Sequence, residues 1–397
     1  MSVTATAAHP GSNAWRDASP STVIAGLVAV LIGYGSSAAI IFQAAQAAGA
    51  SGDQIGSWMW ALGIGMGLTS LGLSWYHRMP LLTAWSTPGA ALLVTQLPGV
   101  PFDQAIGAFM VSAALLTLCG VSGLAERLMR LVPTSLASAM LAGILLSFGL
   151  DLFGAMQQEL GLPLVLAASW LTARRFAPRL AIPAVFATGL AMTLFQDRLD
   201  LSALDLALTT PSLVVPSFSP AVCLGVGVPL FVVTMATQNL PGIAMVRSAG
   251  FPAPVSSAIG WTGAASLLLA PFGAHGLNLA AISAAPCLGD EAHVDAKRRY
   301  TAGIAAGIGY LLLGVFGAGV AALFTALPSV LVMAVAGLAL LGTLGTGLAT
   351  AFAEPGERDA ALVTFLMTAS QITLWGIGSA FWGLLAGMLV ARVLRKA

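Results

Sequence analysis

Apolar runs of 18 or more residues recur along the whole chain, and this feature excludes most of the folds that a chain of 397 residues could adopt. Each run is long enough to cross a hydrocarbon core of roughly 30 Å as an α-helix. Only 8% of the residues are charged. Soluble domains have about 25%, so this chain has too few charges to cover a water-facing surface. The sequence therefore predicts an all-α polytopic membrane protein.

Short charged or Pro/Gly-rich breaks divide these runs into fourteen predicted transmembrane spans. The spans are 21–48, 56–76, 81–97, 104–124, 133–153, 160–176, 181–196, 219–239, 254–270, 271–288, 300–324, 328–349, 360–375 and 377–394. We expect a disordered cytoplasmic tail at 1–20, a first repeat at 21–196, an extracytoplasmic connector at 197–218 and a second repeat at 219–397.

The distribution of basic residues supports this arrangement. With both termini in the cytoplasm, fifteen of the sixteen Lys and Arg residues fall on the cytoplasmic side, and only Arg198 falls outside. Basic residues concentrate in the cytoplasmic loops of membrane proteins. Because a wrong number of spans would scramble the sides after the error, the distribution favours fourteen spans in an inner membrane.

The two halves of the chain are expected to be inverted structural repeats. Each half has seven spans, so the second half begins on the opposite side of the membrane, as in many secondary transporters. A weak sequence similarity supports the repeat, since a shift of 190 residues places segment 80–92 on segment 270–282. This shift pairs the third span with the tenth.

The third span is predicted to be broken. Pro88 suits the first turn of a helix and disfavours helical geometry at Thr87. Ser86 or Thr87 is placed to cap a helix that runs to about Gln96. Such a helix crosses only about half of the hydrocarbon core, because each residue adds about 1.5 Å.

The tenth span is predicted to be broken in the same way. Gly273, His275 and Gly276 precede a helix expected from Asn278 to Ala285. Two half-helices would then point their N-termini at one place near the midplane, where unpaired N–H groups favour an anion. The alternative is that both spans are kinked helices packed through small residues, which are common in membranes.

The deep polar groups of the predicted spans can donate hydrogen bonds and carry no fixed negative charge. A carboxylate site should have this character, because a buried like charge would repel the substrate. Each Gln or Asn could instead join helices to one another. A break at Pro241 and Gly242 makes the eighth span the stronger candidate. The predicted substrate-binding residues are Gln43, Ser86, Thr87, Gln238, Asn239, Gly276 and Asn278.

His275 is the one titratable side chain predicted to lie deep in a span, which makes it the candidate for proton coupling. The alternative is a neutral histidine that donates to a backbone carbonyl of the broken span. The cysteines Cys119, Cys223 and Cys287 are far apart in sequence and fit neither a disulfide framework nor a metal site. We expect no metal and no other cofactor.

Four segments resemble the benzoate/proton symporter family (BenE), and the resemblance extends from about residue 20 to the end. The segments are SSAAIIFQ at 36–43, TAWSTPG at 83–89, QNLPGIA at 238–244 and PFGAHGLN at 271–278. That family is similar in fold to nucleobase and sulfate transporters with seven-plus-seven inverted repeats. The resemblance implies a core domain of spans 1–4 and 8–11, a gate domain of spans 5–7 and 12–14, and a homodimer joined through the gate domains.

The function implied by the resemblance is import of benzoate or a similar aromatic carboxylate with a proton. Nucleobase carriers commonly place carboxylates in the eighth and tenth spans, whereas Gln238, His275 and Asn278 stand there in this chain, which favours an anion. The alternative is an uncoupled or exchanging organic or inorganic anion transporter on the same fold. An intramembrane enzyme would need a nucleophile–base pair or a metal cluster, and His275 has no partner carboxylate. The net charge of +1 gives no reason to expect nucleic acid as a partner.

Overall fold

The computed structural model describes residues 14–123, 125, 133–198 and 208–394. The expectations for residues 1–13 and 199–207 lie outside the described residues. A helical turn at Ala14–Asp17 precedes the first long helix, which Ser19 caps by accepting a hydrogen bond from the backbone of Thr22.

After this turn, the described residues of the first half form seven longer α-helices and one strand. In chain order these are α1 Pro20–Ala47, α2 Gly52–His77, β1 Thr83–Trp85, α3 Thr87–Gln96, α4 Phe102–Ser122, α5 Thr134–Gln158, α6 Gly161–Phe176 and α7 Ala181–Phe195. The extended start, the Ser86 cap and the end of α3 at Gln96 agree with the broken third span that the sequence predicts.

The second half begins with α8, Pro220–Ser248, which contains π-helical turns at Cys223–Gly227 and Met235–Asn239. The elements that follow are α9 Val255–Leu269, β2 Leu277–Leu279, α10 Ala285–Leu288, α11 Tyr300–Val315, α12 Gly317–Ala326, α13 Ser329–Ala351, α14 Arg358–Ala369, β3 Thr373–Leu374, β4 Ile377–Gly378 and α15 Ser379–Leu394.

Six helices of the described chain are long and apolar enough to cross a membrane by themselves. They are α1, α4, α5, α8, α13 and α9 with its extension to Phe272. The pair α11 and α12, bent by 65°, would make a seventh. The other predicted spans fall on helices that do not by themselves meet these criteria of length and hydropathy.

The helix predicted from Asn278 to Ala285 is wrong. Residues Leu277–Leu279 form a strand, a 3₁₀ turn follows at Ile282–Ala284, and the α-helix covers only Ala285–Leu288. The backbone here pairs with β1, a partner that sequence periodicity cannot reveal. Pro286 then lies in the first turn of the short helix, where a proline fits.

The break predicted at Pro241 and Gly242 is also wrong, because α8 continues to Ser248. The irregularity falls one turn earlier, in the π-helical turn Met235–Asn239. A wider π turn leaves room for the proline ring, which would clash with a carbonyl in regular α-helix. The helix therefore bulges one turn before the predicted break and then continues.

Strands β1 and β2 are antiparallel and cross inside the molecule. Thr83 pairs with Leu279 and Trp85 with Leu277, and beyond them the Ser86 N–H donates to the Gly276 carbonyl at 3.0 Å. The pairing satisfies backbone groups that have no water partner inside a membrane. The 190-residue shift aligns Ser86 with Gly276. The two strands therefore cross at residues that are equivalent in the alignment of the two halves.

The helices pack in two groups, the first formed by α1–α4, α8, α9, α11 and α12 and the second by α5–α7 and α13–α15. The most extensive contacts in one group join α2 to α11 and α4 to α9, and those in the other join α5 to α13 and α14 to α15. In the predicted inverted repeats, α2 corresponds to α9 and α11 corresponds to α4. The contact between α2 and α11 is therefore equivalent to the contact between α9 and α4. In the first group Gly63 meets the backbone of Gly314 so closely that no Cβ would fit.

Candidate functional site

A cavity of about 610 Å³ lies between the two helix groups. The first group contributes the middle of α1, the junction of β1 with α3, the π turn of α8 around Gln238, and the side chains of Ser283 and Tyr310. The second group contributes the C-terminal end of α6, the N-terminal end of α7 and the C-terminal half of α13. These three ends lie on the side that the basic residues predict to be cytoplasmic.

Two of the predicted binding residues, Thr87 and Gln238, line this cavity. Thr87 is the first residue of α3, and its N–H has no partner within the helix. Gln238 lies in the π turn of α8, which turns its side chain differently from a regular helix. Within the described chain, neither side chain makes a hydrogen bond, so both are available to an acceptor in the cavity.

Ser86 is fully buried and does not line the cavity. Its hydroxyl oxygen accepts hydrogen bonds from the Gly89 N–H at 3.1 Å and from the Thr234 hydroxyl at 2.9 Å. Its carbonyl accepts from the Ala90 N–H and from His275. Ser86 therefore holds the start of α3 in place and leaves Thr87 to face the cavity.

His275 is also fully buried behind the cavity wall. The Trp58 indole N–H donates to its Nδ1 at 3.1 Å, and its Nε2 lies 3.1 Å from the Ser86 carbonyl oxygen. Indole nitrogen only donates and a carbonyl only accepts, so Nδ1 carries the lone pair and Nε2 carries the hydrogen. The ring is thus neutral in this conformation, which agrees with the alternative role of a hydrogen-bonded wall.

Asn239, Asn278 and Gly276 stabilise the strand crossing and do not line the cavity. The Asn239 side-chain oxygen accepts from the Leu279 N–H at 3.1 Å. In the amide orientation that satisfies both of its ends, Asn278 accepts from the Ser86 N–H at 3.1 Å and donates to the Leu279 carbonyl at 2.9 Å. The polar groups of these two side chains are thus occupied by internal hydrogen bonds.

Gln43 lies away from the other predicted residues. It is nine residues beyond Tyr34 on α1, or about 13.5 Å along the helix. Its amide donates to the Val332 carbonyl of α13 at 3.3 Å. The neighbouring ring of Phe42 stacks on Phe324 at 5.7 Å. The hydrogen bond to Val332 joins the two helix groups on the side opposite the ends that line the cavity, so Gln43 connects helices here.

Sequence reasoning missed the aromatic part of the cavity wall. The Tyr34 ring lies 4.6 Å from the Trp85 ring and 6.0 Å from the Tyr310 ring. Both tyrosine hydroxyls are buried, and neither has a hydrogen-bond partner in the described chain. A signal was available, because two of the four tyrosines, Tyr34 and Tyr310, fall inside predicted spans rather than at the span ends where tyrosine is common.

Among the described residues that line the cavity there is no Asp or Glu. In the part of the chain that the structure describes, no group of three or more His, Cys, Asp or Glu side chains is arranged to hold a metal ion. The available groups suit a ligand that accepts hydrogen bonds and has an apolar face.

Comparison with known sequences gives consistent matches over nearly the whole chain. The model of the benzoate membrane transport protein family matches residues 16–393. The chain is 50% identical over 368 residues to the inner membrane protein YdcO of Escherichia coli (strain K12), covering 93% of this chain and 94% of that protein. It is 40% identical over 384 residues to the benzoate membrane transport protein of Acinetobacter baylyi, covering 96% and 97%.

Solved structures show the same fold at low sequence identity. The chain matches SLC26A9 with a TM-score of 0.64 and 12% identity, covering 94% of this chain and 64% of that longer one. It matches the transmembrane domain of the cyanobacterial bicarbonate transporter BicA with a TM-score of 0.58 and 15% identity, covering 94% and 96%. The murine SLC26A9 anion transporter in its inward-facing state gives a TM-score of 0.60 at 12% identity, covering 94% and 68%.

Proposed function

Since the chain belongs to the benzoate membrane transport protein family, we propose that it imports benzoate or a similar aromatic carboxylate together with a proton. Membership of this family makes the chain a membrane transporter, and the prediction that it is not an enzyme is confirmed. The relative from Escherichia coli is named an inner membrane protein, and we propose the same membrane for this chain.

The observation that favours an aromatic carboxylate is that the cavity wall contains both free hydrogen-bond donors and aromatic rings. Thr87 and Gln238 offer unoccupied donors, and the rings of Tyr34, Trp85 and Tyr310 lie on the same helix group. An aromatic carboxylate has the matching shape, with charged oxygens at one end and an apolar ring at the other. The volume of about 610 Å³ lies within the usual range for small-molecule sites, roughly 300–1,000 Å³.

We place the carboxylate at the start of α3. The helix has ten residues, and the N–H of Thr87 adds to the partial positive charge of its N-terminus. In this placement Gln238 of α8, which lines the same cavity, donates a second hydrogen bond. The absence of Asp and Glu from the cavity lining supports the assignment, because a nearby carboxylate would repel the substrate.

The proposed mechanism is alternating access of a core domain against a gate domain. The core contains spans 1–4 and 8–11, the gate contains spans 5–7 and 12–14, and both termini lie in the cytoplasm. The two helix groups support this division into domains, and their matching contacts support the inverted repeats. The position of the cavity near one side, with Gln43 bonded to α13 of the second group on the other, supports a conformation open to the cytoplasm. A homodimer through the gate domains also remains a proposal.

The proton is proposed to cross with the substrate. His275 is neutral in this geometry, and protonation of Nδ1 would remove the hydrogen bond from Trp58. A carboxylate that crosses in its protonated form avoids the cost of moving isolated charge through a dry site. In this proposal His275 positions Ser86 and does not itself carry the proton. The competing hypothesis is that His275 carries the proton.

The test is uptake of radiolabelled benzoate into proteoliposomes with an imposed inward proton gradient, corrected for protein-free liposomes. We expect accumulation above equilibrium that collapses when the gradient is dissipated. The alternative, an uncoupled or exchanging anion transporter, predicts counterflow of benzoate that is equal with and without the gradient. Absence of both uptake and counterflow would refute the proposed function.

A further inference from the structure

Arg174, near the C-terminal end of α6, is the only charged residue among the described residues that line the cavity. Its guanidinium lies 5.0 Å from the centre of the Trp170 ring, one helical turn earlier. It also packs beside Gly342 of α13. A cation held over an aromatic face at this distance is stabilised electrostatically, and the ring limits where the long side chain can point. The guanidinium is therefore held at the cavity wall.

No acidic partner neutralises Arg174 within the described chain. The ion pairs found there join Arg198 to Glu159 and Arg299 to Asp290. A basic residue in the last turn of a helix at the cytoplasmic side has an ordinary explanation in the helix dipole and in membrane orientation. The adjacent Arg175 meets both of those requirements equally well but does not line the cavity. Arg174, which faces the cavity, therefore has a positive charge available to a ligand.

We propose that Arg174 is the docking residue for the substrate carboxylate at the cytoplasmic opening of the cavity, an inference that rests on the proposed transport of an aromatic carboxylate. Low-dielectric walls around a single cation concentrate its field and raise the rate at which an anion enters. Arg174 belongs to the helix group opposite Thr87 and Gln238. A substrate that contacts all three therefore bridges both groups in the cytoplasm-open conformation, and the bridge is lost when the groups move apart. Arg174 thus selects anions at the inner side.

The experiment compares the purified full-length protein with Arg174→Gln, Arg174→Lys and the matched neighbour Arg175→Gln. Binding of benzoate and of the uncharged analogue benzamide is measured at low and high ionic strength. We expect Arg174→Gln to weaken benzoate binding by about tenfold at low salt, equivalent to about 1.4 kcal/mol. The loss should shrink at high salt, because exposed charges are screened beyond roughly 10 Å at 0.1 M. Arg174→Lys should keep most of the affinity, Arg175→Gln should bind like wild type, and benzamide binding should not change in any variant.

The outcomes separate this inference from the proposed function. If the wild-type protein binds no benzoate, the proposed function fails. If wild type binds benzoate and a folded Arg174→Gln binds it equally well, Arg174 is not the docking residue. Wild type provides a further measurement that does not depend on any variant folding, namely the association rate against ionic strength. We expect this rate to fall with salt for benzoate and to stay constant for benzamide, and equal salt dependence of the two would overturn the inference.

Discussion

At the residue scale, the polar side chains of the apolar spans differ in whether their hydrogen-bonding groups are already occupied. The side chains of Asn239 and His275 bond to backbone atoms of the strand crossing, whereas the Gln238 side chain makes no hydrogen bond in the described chain and lines the cavity. A buried polar group that is satisfied internally stabilises the fold, and one that is not satisfied is available to a ligand. Whether a polar residue binds a ligand or stabilises the fold thus depends on its hydrogen-bond partners and not on its residue type.

Gln238→Ala should weaken benzoate binding about tenfold or more while leaving the protein folded. A hydrogen bond to a charged acceptor contributes about 1.5–3 kcal/mol, and alanine removes the donor. Equilibrium binding to the purified protein measures the effect. Gln157→Ala, at an exposed glutamine near the end of α5, is the matched control and should bind like wild type. Unchanged affinity in Gln238→Ala would remove this residue from the site.

His275→Gln should reduce benzoate affinity and still permit accumulation driven by a pH gradient. Glutamine keeps a donor for the Ser86 carbonyl but cannot reproduce the geometry of the ring between Trp58 and Ser86. Uptake and benzoate exchange are measured in the same proteoliposomes over a range of external pH. The opposite pattern, intact exchange with no accumulation at acidic external pH, would make His275 the proton carrier.

At the element scale, the crossing of β1 and β2 depends on the turn that leads into it. The 3₁₀ turn Ala270–Phe272 ends at Gly273, whose φ of +108° is unfavourable for any residue with a side chain. A Cβ on Gly273 would lie 2.8 Å from Trp58, the residue that also donates to His275. Backbone conformation and packing both require glycine here, so this position sets the path of the chain toward β2.

Gly273→Ala should lower the free energy of unfolding by more than about 1 kcal/mol, because alanine is incompatible with this conformation. Thermal unfolding of the purified protein in detergent reports the change as a lower Tm. Gly52→Ala is the control, since a Cβ at Gly52 meets no atom within 4 Å and its φ is not positive. Equal Tm values for the two variants would show that the turn tolerates a side chain.

At the scale of the whole molecule, the proposed topology places the connector and the C-terminal end of α8 on opposite sides of the membrane. Leu213 lies in the connector and Ser248 at the end of α8, and both are exposed. Single cysteines at these positions, with Cys119, Cys223 and Cys287 replaced by alanine, should react with an impermeant thiol reagent from opposite sides. Labelling from the same side would contradict both the fourteen-span arrangement and the inverted repeats.

The sequence by itself determined the membrane class and the broken third span. These properties are local, because hydrophobicity acts over a run of about 20 residues and a proline acts on its neighbours along the chain. The family was also accessible, since the segments around Ser86 and His275 carry the resemblance. The start of α3 at Thr87 and its end at Gln96 follow from the same local rules.

Only the tertiary structure decided which polar residues face the cavity. Gln43 and Gln238 are chemically identical, yet one donates to the Val332 carbonyl, 289 residues away in sequence, and the other lines the cavity. Asn278 was expected to begin a helix and instead lies in a strand, because its partner Ala84 is 194 positions away. A side chain's partners depend on contacts between distant segments, and no local pattern records which segments meet.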